Sequence, residues 1–110
     1  MSRVTMIVLD SFGVGALPDA EKFDDAGANT LGHIREAIGE LKVPNMRKLG
    51  LYNIPGVKGP ADPAPIGCFG KCAEKANAKD TTNGHFEIAG LVVDTPFKVF
   101  GQHFPPRIIE

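Results

Sequence analysis

Two stretches of this chain carry side chains that could do chemistry. The first is Asp10, which follows the apolar run Val4, Met6, Ile7, Val8 and Leu9 and precedes Ser11-Phe12-Gly13-Val14-Gly15. A carboxylate at a rigid strand end is a hard oxygen donor suited to Mn²⁺ or Mg²⁺. The same acid also fits a turn ahead of two glycines. The second stretch is Lys79-Asp80-Thr81-Thr82-Asn83-Gly84-His85-Phe86-Glu87, a polar turn leading into a helix. Hydroxyls at a helix start face unpaired backbone N–H groups and the positive end of the helix dipole, a ready place for a phosphate. A threonine there becomes a nucleophile when a metal or base activates its hydroxyl. The simpler reading is an N-cap, with Asp80 or Thr81 bonding to the N–H of Thr82 or Asn83. His85 fits a general acid or a partner behind the site, and equally a packed helix histidine with one hydrogen bond. Lys79 either screens phosphate charge or is simply solvated.

Other candidates are weaker. Gly13-Val14-Gly15 forms G-x-G after a strand, but Pro18 stands where a dinucleotide loop needs its third glycine, and Asp10 would face the pyrophosphate. Cys68 and Cys72 lack two further ligands at zinc spacing, and His85 and His103 do not supply them. They read as buried or half-buried free thiols, packed as small hydrophobes. His33 and His103 read as structural or surface residues.

The elements that must position these groups follow from pattern. Residues 3–9 read as a strand covered on both faces in a parallel sheet, with Asp10 at its carboxyl end, where α/β sheets bind ligands. Residues 18–23 read as a short helical turn. Asn29 or Thr30 caps a helix running to about Leu41, with Leu31, Ile34, Ile38 and Leu41 on one face. Pro44 opens a second helix through Leu49, which Gly50 ends. Residues 52–65 read as a loop, and residues 66–74 as a second strand weakened by Gly67 and Gly70. After a turn at 77–81, a helix is expected over 82–91, with Phe86, Ala89 and Leu91 partly inward. Asp94-Thr95-Pro96 breaks it, and the tail 96–110 has no clear period.

The 110 residues leave room for one small domain at most. Hydrophobic residues make up 43% and charged residues 23%, a globular balance. A net charge of -1 implies no electrostatic pull toward nucleic acid or membrane. The longest apolar run is too short to span a bilayer, and no export signal is visible, so a cytoplasmic location is expected. The 13 glycines and 9 prolines make the chain loop-rich, so it reads as part of something larger.

Several segments together resemble the phosphopentomutases of the alkaline phosphatase superfamily. They are Ile7-Val8-Leu9-Asp10-Ser11-Phe12-Gly13-Val14-Gly15, Pro18-Asp19-Ala20, Asn29-Thr30-Leu31-Gly32-His33-Ile34, Pro44-Asn45-Met46 with Leu49-Gly50-Leu51, Lys79-Asp80-Thr81 with Gly84-His85-Phe86-Glu87-Ile88, and Asp94-Thr95-Pro96-Phe97. The combination L-D-S-x-G-x-G with K-D-T-x-x-G-H-x-E is specific. The resemblance implies an α/β core, a mostly parallel sheet with flanking helices, into which a cap domain is inserted. Residues 1–96 would belong to the metal-binding core and 97–110 to the connection toward the cap. The resemblance implies Asp10 as a ligand of one of two Mn²⁺ ions (Mg²⁺ being the substitute) and Thr81 as both a metal ligand and the phosphorylated nucleophile. Lys79, Asp80 and His85 become supporting residues, and a sugar bisphosphate the activator. The substrate would be ribose or deoxyribose phosphate, its phosphate moved between C1 and C5.

Members of that family are several times longer, and their other metal ligands, phosphate groups and sugar-binding groups lie beyond the matched part. The 110 residues alone are therefore expected to be inactive, weakly stable or self-associating through an exposed sheet edge, and in need of the rest of the polypeptide. Two other readings compete. One is a cofactor-independent phosphoglycerate mutase of the same superfamily, whose nucleophile is a serine in an N-S-x-x-G-H setting, unlike Lys79-Asp80-Thr81. The other is a non-catalytic domain that binds an anion or a partner.

Overall fold

The computed structural model of the chain describes residues 2–95, 97–98, 100–101 and 103–109. The chain divides into two compact units, Met1–Cys72 and Ala73–Glu110.

In the first unit, a 3-10 turn at Ala20–Phe23 buries Ala20 and ends at Asp24 in the left-handed conformation. Helix α1 (Thr30–Ile38) starts because Asn29 caps it, Oδ1 accepting from the Gly32 N–H at 3.0 Å. Gly32 has no Cβ, and the space one would fill is taken by the Asn29 amide. Leu31 is buried and Ile34 half-buried, whereas Ile38 is 69% exposed. The helix ends at Ile38, not near Leu41, because Gly39 takes φ +82° and its N–H closes onto the Arg35 carbonyl.

Helix α2 (Pro44–Leu49) matches its expected limits. Pro44 sits in the first turn, where no N–H is needed, and Gly50 ends the helix at φ +103°. The Phe69 ring occupies the position of a Gly50 Cβ, so glycine serves both the turn and the contact. A 3-10 turn at Leu51–Asn53 follows and buries Tyr52, whose ring lies 5.4 Å from the Arg35 guanidinium carbon. The loop after it is laced to α2. Asn53 donates to the Asp62 carbonyl at 2.9 Å and accepts from the Asp62 N–H at 3.0 Å. Arg47 donates to the Ala61 carbonyl, and the Ile66 N–H to that of Lys48.

In the second unit, helix α3 (Thr81–Ile88) is followed by the short helix α4 (Pro106–Ile109). The N–H of Leu91 bonds to the Phe86 carbonyl, and that of Gly90, at φ +92°, to Glu87. That pair is a Schellman ending, and it stops α3 three residues before the expected Leu91. Phe86, Ala89 and Leu91, expected partly inward, are exposed. Ala76 and Ala78 are its buried apolar residues. Pro96, expected to help break the helix, lies outside the described residues.

The expected sheet does not form: the described residues contain no strand, only helices, turns and loops. Residues 3–9 are without regular structure, with Val4 90% and Ile7 80% exposed. The physical reason is that a strand exists only against a partner, and parallel neighbours must be brought by crossovers of a dozen residues or more. The second expected strand, 66–74, cannot serve. Ile66 is tied to the end of α2, Gly67 lies against the Leu49 backbone, and the stretch beyond lacks regular structure. Cys68 and Cys72 are free thiols as expected, but both are exposed, since no sheet face forms to bury them.

Candidate functional site

Asp10 sits on a turn that the first unit holds in place. The Phe12 N–H bonds to the Leu9 carbonyl at 3.2 Å, and Ser11 adopts φ +57°. A serine in that conformation costs roughly 1 kcal/mol or more, so surrounding bonds must enforce it. Helix α1 supplies them. The Thr30 hydroxyl donates to the Ser11 carbonyl at 3.2 Å, and the Leu31 N–H to the Gly13 carbonyl at 3.0 Å. The Asp10-Ser11-Phe12-Gly13 segment is thereby pinned to the start of α1, and the Asp10 carboxylate is exposed. Thr30 had looked like a candidate cap; its part is to anchor the loop that bears Asp10.

In the second unit Asp80 is the N-cap of α3. Its Oδ1 accepts from the Asn83 N–H at 2.9 Å, and its Oδ2 accepts from the Asn83 side-chain amide. Thr81 and Thr82 open the helix with both residues exposed. Asp80 is thus the cap, and the two threonines that follow it are exposed. His85 is exposed, and its Nδ1–H donates to the Thr81 carbonyl at 2.7 Å. That tautomer leaves Nε2 as an acceptor when the ring is neutral. Lys79 is exposed.

Asn83 is fully buried, and its Oδ1 makes no hydrogen bond. A buried acceptor without a donor costs about 1–3 kcal/mol.

Glu87 is a contact that the sequence pattern did not disclose. Its Oε1 accepts from the Lys75 N–H at 2.7 Å and its Oε2 from the Ala76 N–H at 2.8 Å. One carboxylate therefore ties α3 to the segment that leads into Asp80. Acceptors of this kind are among the stronger hydrogen bonds. Glu87→Gln is expected to lower stability by about 1–3 kcal/mol, because one of the two N–H groups would meet an amide donor. Hydrogen exchange at the Lys75 and Ala76 amides checks it; unchanged protection would remove Glu87 from this role.

A hard divalent cation suits the oxygens of Asp10 and Thr81 in type but not in number. About six oxygen ligands are needed, and no group of three His, Cys, Asp or Glu side chains able to hold a metal occurs among the described residues. The 110-residue chain is expected to show no submicromolar Mn²⁺ binding by calorimetric titration. A tight isotherm would mean that ligands other than Asp10 and Thr81 have been overlooked.

The chain as a whole has relatives among known proteins. The model of the metalloenzyme superfamily matches residues 2–58, the stretch that carries Asp10 and its anchoring helix. The chain belongs to the metalloenzyme superfamily. It is 57% identical to a phosphopentomutase of Caldanaerobacter subterraneus subsp. tengcongensis, over 100% of this chain and 28% of that protein. Against the phosphopentomutase of Clostridioides difficile the identity is 53%, over 100% of this chain and 29% of that one. Against that of Dictyoglomus thermophilum it is 50%, over 100% and 28%. The chain thus spans less than a third of the length of these relatives. No helix among the described residues is long and apolar enough to cross a membrane.

Proposed function

We propose that the protein carrying this chain is a phosphopentomutase, which interconverts the 1- and 5-phosphates of ribose or deoxyribose. The observation that carries the reading is the identity of 57% across the whole chain, including the segment that sets Thr81 at the exposed start of α3. Thr81 is the nucleophile. Its phosphorylated form passes the phosphoryl group to the free hydroxyl of a pentose monophosphate: the threonine O–P bond breaks, a sugar O–P bond forms, and the proton of the sugar hydroxyl ends on the released threonine oxygen. The resulting bisphosphate returns its other phosphate to Thr81. A sugar bisphosphate charges the threonine at the outset.

Asp10 holds one of two divalent cations, Mn²⁺ in the first place, whose chemistry is to neutralise phosphate charge. Asp80 keeps the first turn of α3 closed, and Lys79 and His85 support the phosphate side. The exposed apolar run at 3–9 supports a place for this segment as a strand in a sheet completed by the part of the fold beyond the matched share. Residues 1–96 then belong to the core and 97–110 lead toward a cap domain. The protein works in the cytoplasm on a free pentose phosphate, without nucleic acid or membrane.

The test is an assay of the whole protein with Mn²⁺ on ribose 1-phosphate and deoxyribose 1-phosphate, activated by a sugar bisphosphate. Formation of the 5-phosphates is expected. Turnover of 3-phosphoglycerate instead would transfer the protein to the phosphoglycerate mutases.

A further inference from the structure

We propose that Asn83 is a positioning residue for the nucleophile, acting through the Asp80 carboxylate. The inference rests on the reading of Thr81 as the phosphorylated residue. Asn83 is fully buried although it lies in the first turn of a helix whose other opening residues, Thr81 and Thr82, are exposed. It binds Asp80 twice, with its backbone N–H on Oδ1 and its side-chain Nδ2 on Oδ2. An N-cap needs only the first of these bonds. The second takes up the remaining carboxylate oxygen and fixes the rotation of the acid. The amide cannot be turned over, because its oxygen would then face Oδ2 of an ionised carboxylate.

The consequence falls on the residue between the two partners. Thr81 follows Asp80 directly, and its carbonyl also receives the His85 Nδ1–H at 2.7 Å. Its backbone is therefore held on the side of Asp80 and on the side of the helix, while the residue stays exposed. Asn83 bonds both Asp80 oxygens, which fixes the acid's rotation and with it the turn that precedes Thr81. A nucleophile that must attack in line depends on this kind of restraint, since small misplacements of a reacting atom cost rate and not affinity.

A mutant cycle on the whole protein tests the proposal, with Asn83→Ala, Asp80→Ser and the double variant. Serine at position 80 still caps the helix but cannot hold the Asn83 side chain as well. Three quantities are read: kcat and KM for ribose 1-phosphate, the rate at which a sugar bisphosphate phosphorylates Thr81 (by mass spectrometry), and the melting temperature. Asn83→Ala is expected to lower kcat and the phosphorylation rate about 10- to 100-fold, with KM within about twofold. The double variant should lose no more than the more affected single variant, because both remove one pair. Where alanine unfolds the protein, Asn83→Ser replaces it in the same cycle with the same expectation.

A variant with a lowered melting temperature and unaltered kcat would overturn the inference, since Asn83 would then only stabilise the helix. Losses in kcat that multiply in the double variant would overturn it too. A phosphate found on a residue other than Thr81 in the unsubstituted protein overturns the nucleophile assignment, and this inference with it. Phosphate on Thr81 together with full turnover in Asn83→Ala overturns this inference alone.

Discussion

Thr81→Ala in the whole protein is expected to abolish the phosphoenzyme and to lower mutase turnover by at least about 10³-fold, the scale on which removing a covalent nucleophile acts. Thr82→Ala is expected to keep the phosphoenzyme. The two threonines are adjacent, both exposed, and both at the start of α3, so exposure does not separate them. What separates them is the cap. Thr81 follows Asp80, whose side chain closes the turn, and its carbonyl is bonded by His85. Mass spectrometry after incubation with a sugar bisphosphate decides between them. A phosphate that survives Thr81→Ala and disappears in Thr82→Ala would move the nucleophile by one residue. A phosphate retained in both variants would place it on another residue and overturn both assignments.

Asp10→Ala is expected to weaken Mn²⁺ binding in the whole protein by on the order of 100-fold or more and to abolish turnover, with the fold retained. Retention of the fold follows from what holds the turn. The Ser11 and Gly13 carbonyls bond to Thr30 and Leu31, and the Leu9 carbonyl to the Phe12 N–H, all without the Asp10 side chain. The carboxylate is exposed, so its removal leaves no buried gap. Metal content and circular dichroism measured on the same sample separate the two effects. Unchanged stoichiometry would take Asp10 out of the metal site, and a collapsed spectrum would make it a structural residue of the turn.

The features legible in the sequence share a short range. Asn29, Gly50 and Asp80 each bound an element through bonds to residues at most four positions away, and Pro44 opens α2 where no N–H is needed. Local chemistry of that kind is written in residue type, which is why α1, α2 and α3 were placed within a few residues of their limits. Where the limits slipped, at Gly39 and Gly90, a positive-φ glycine outweighed an apolar period that ran on past it. The superfamily was legible for a related reason: Asp10 and Lys79-Asp80-Thr81 stand in recognisable local settings, and the match over residues 2–58 bears out the superfamily.

The expected strands show the opposite case. An apolar run such as Val4 to Leu9 states that a segment is fit for burial in a sheet, but pairing is a property of two segments, and among the described residues no second one pairs with it. The same limit hid Thr30 on the Ser11 carbonyl, Asn53 around Asp62, and Glu87 on the Lys75 and Ala76 amides. Those pairs join residues 9 to 19 positions apart, and residue type does not encode which distant backbone group a side chain will meet. The amino-acid sequence by itself determined the helix caps, the superfamily and which acid and which threonine to suspect. Only the tertiary structure decided that Asn83 is buried against the Asp80 cap and that the Asp10 turn is pinned to α1, because burial and long-range hydrogen bonds arise when the chain folds back on itself.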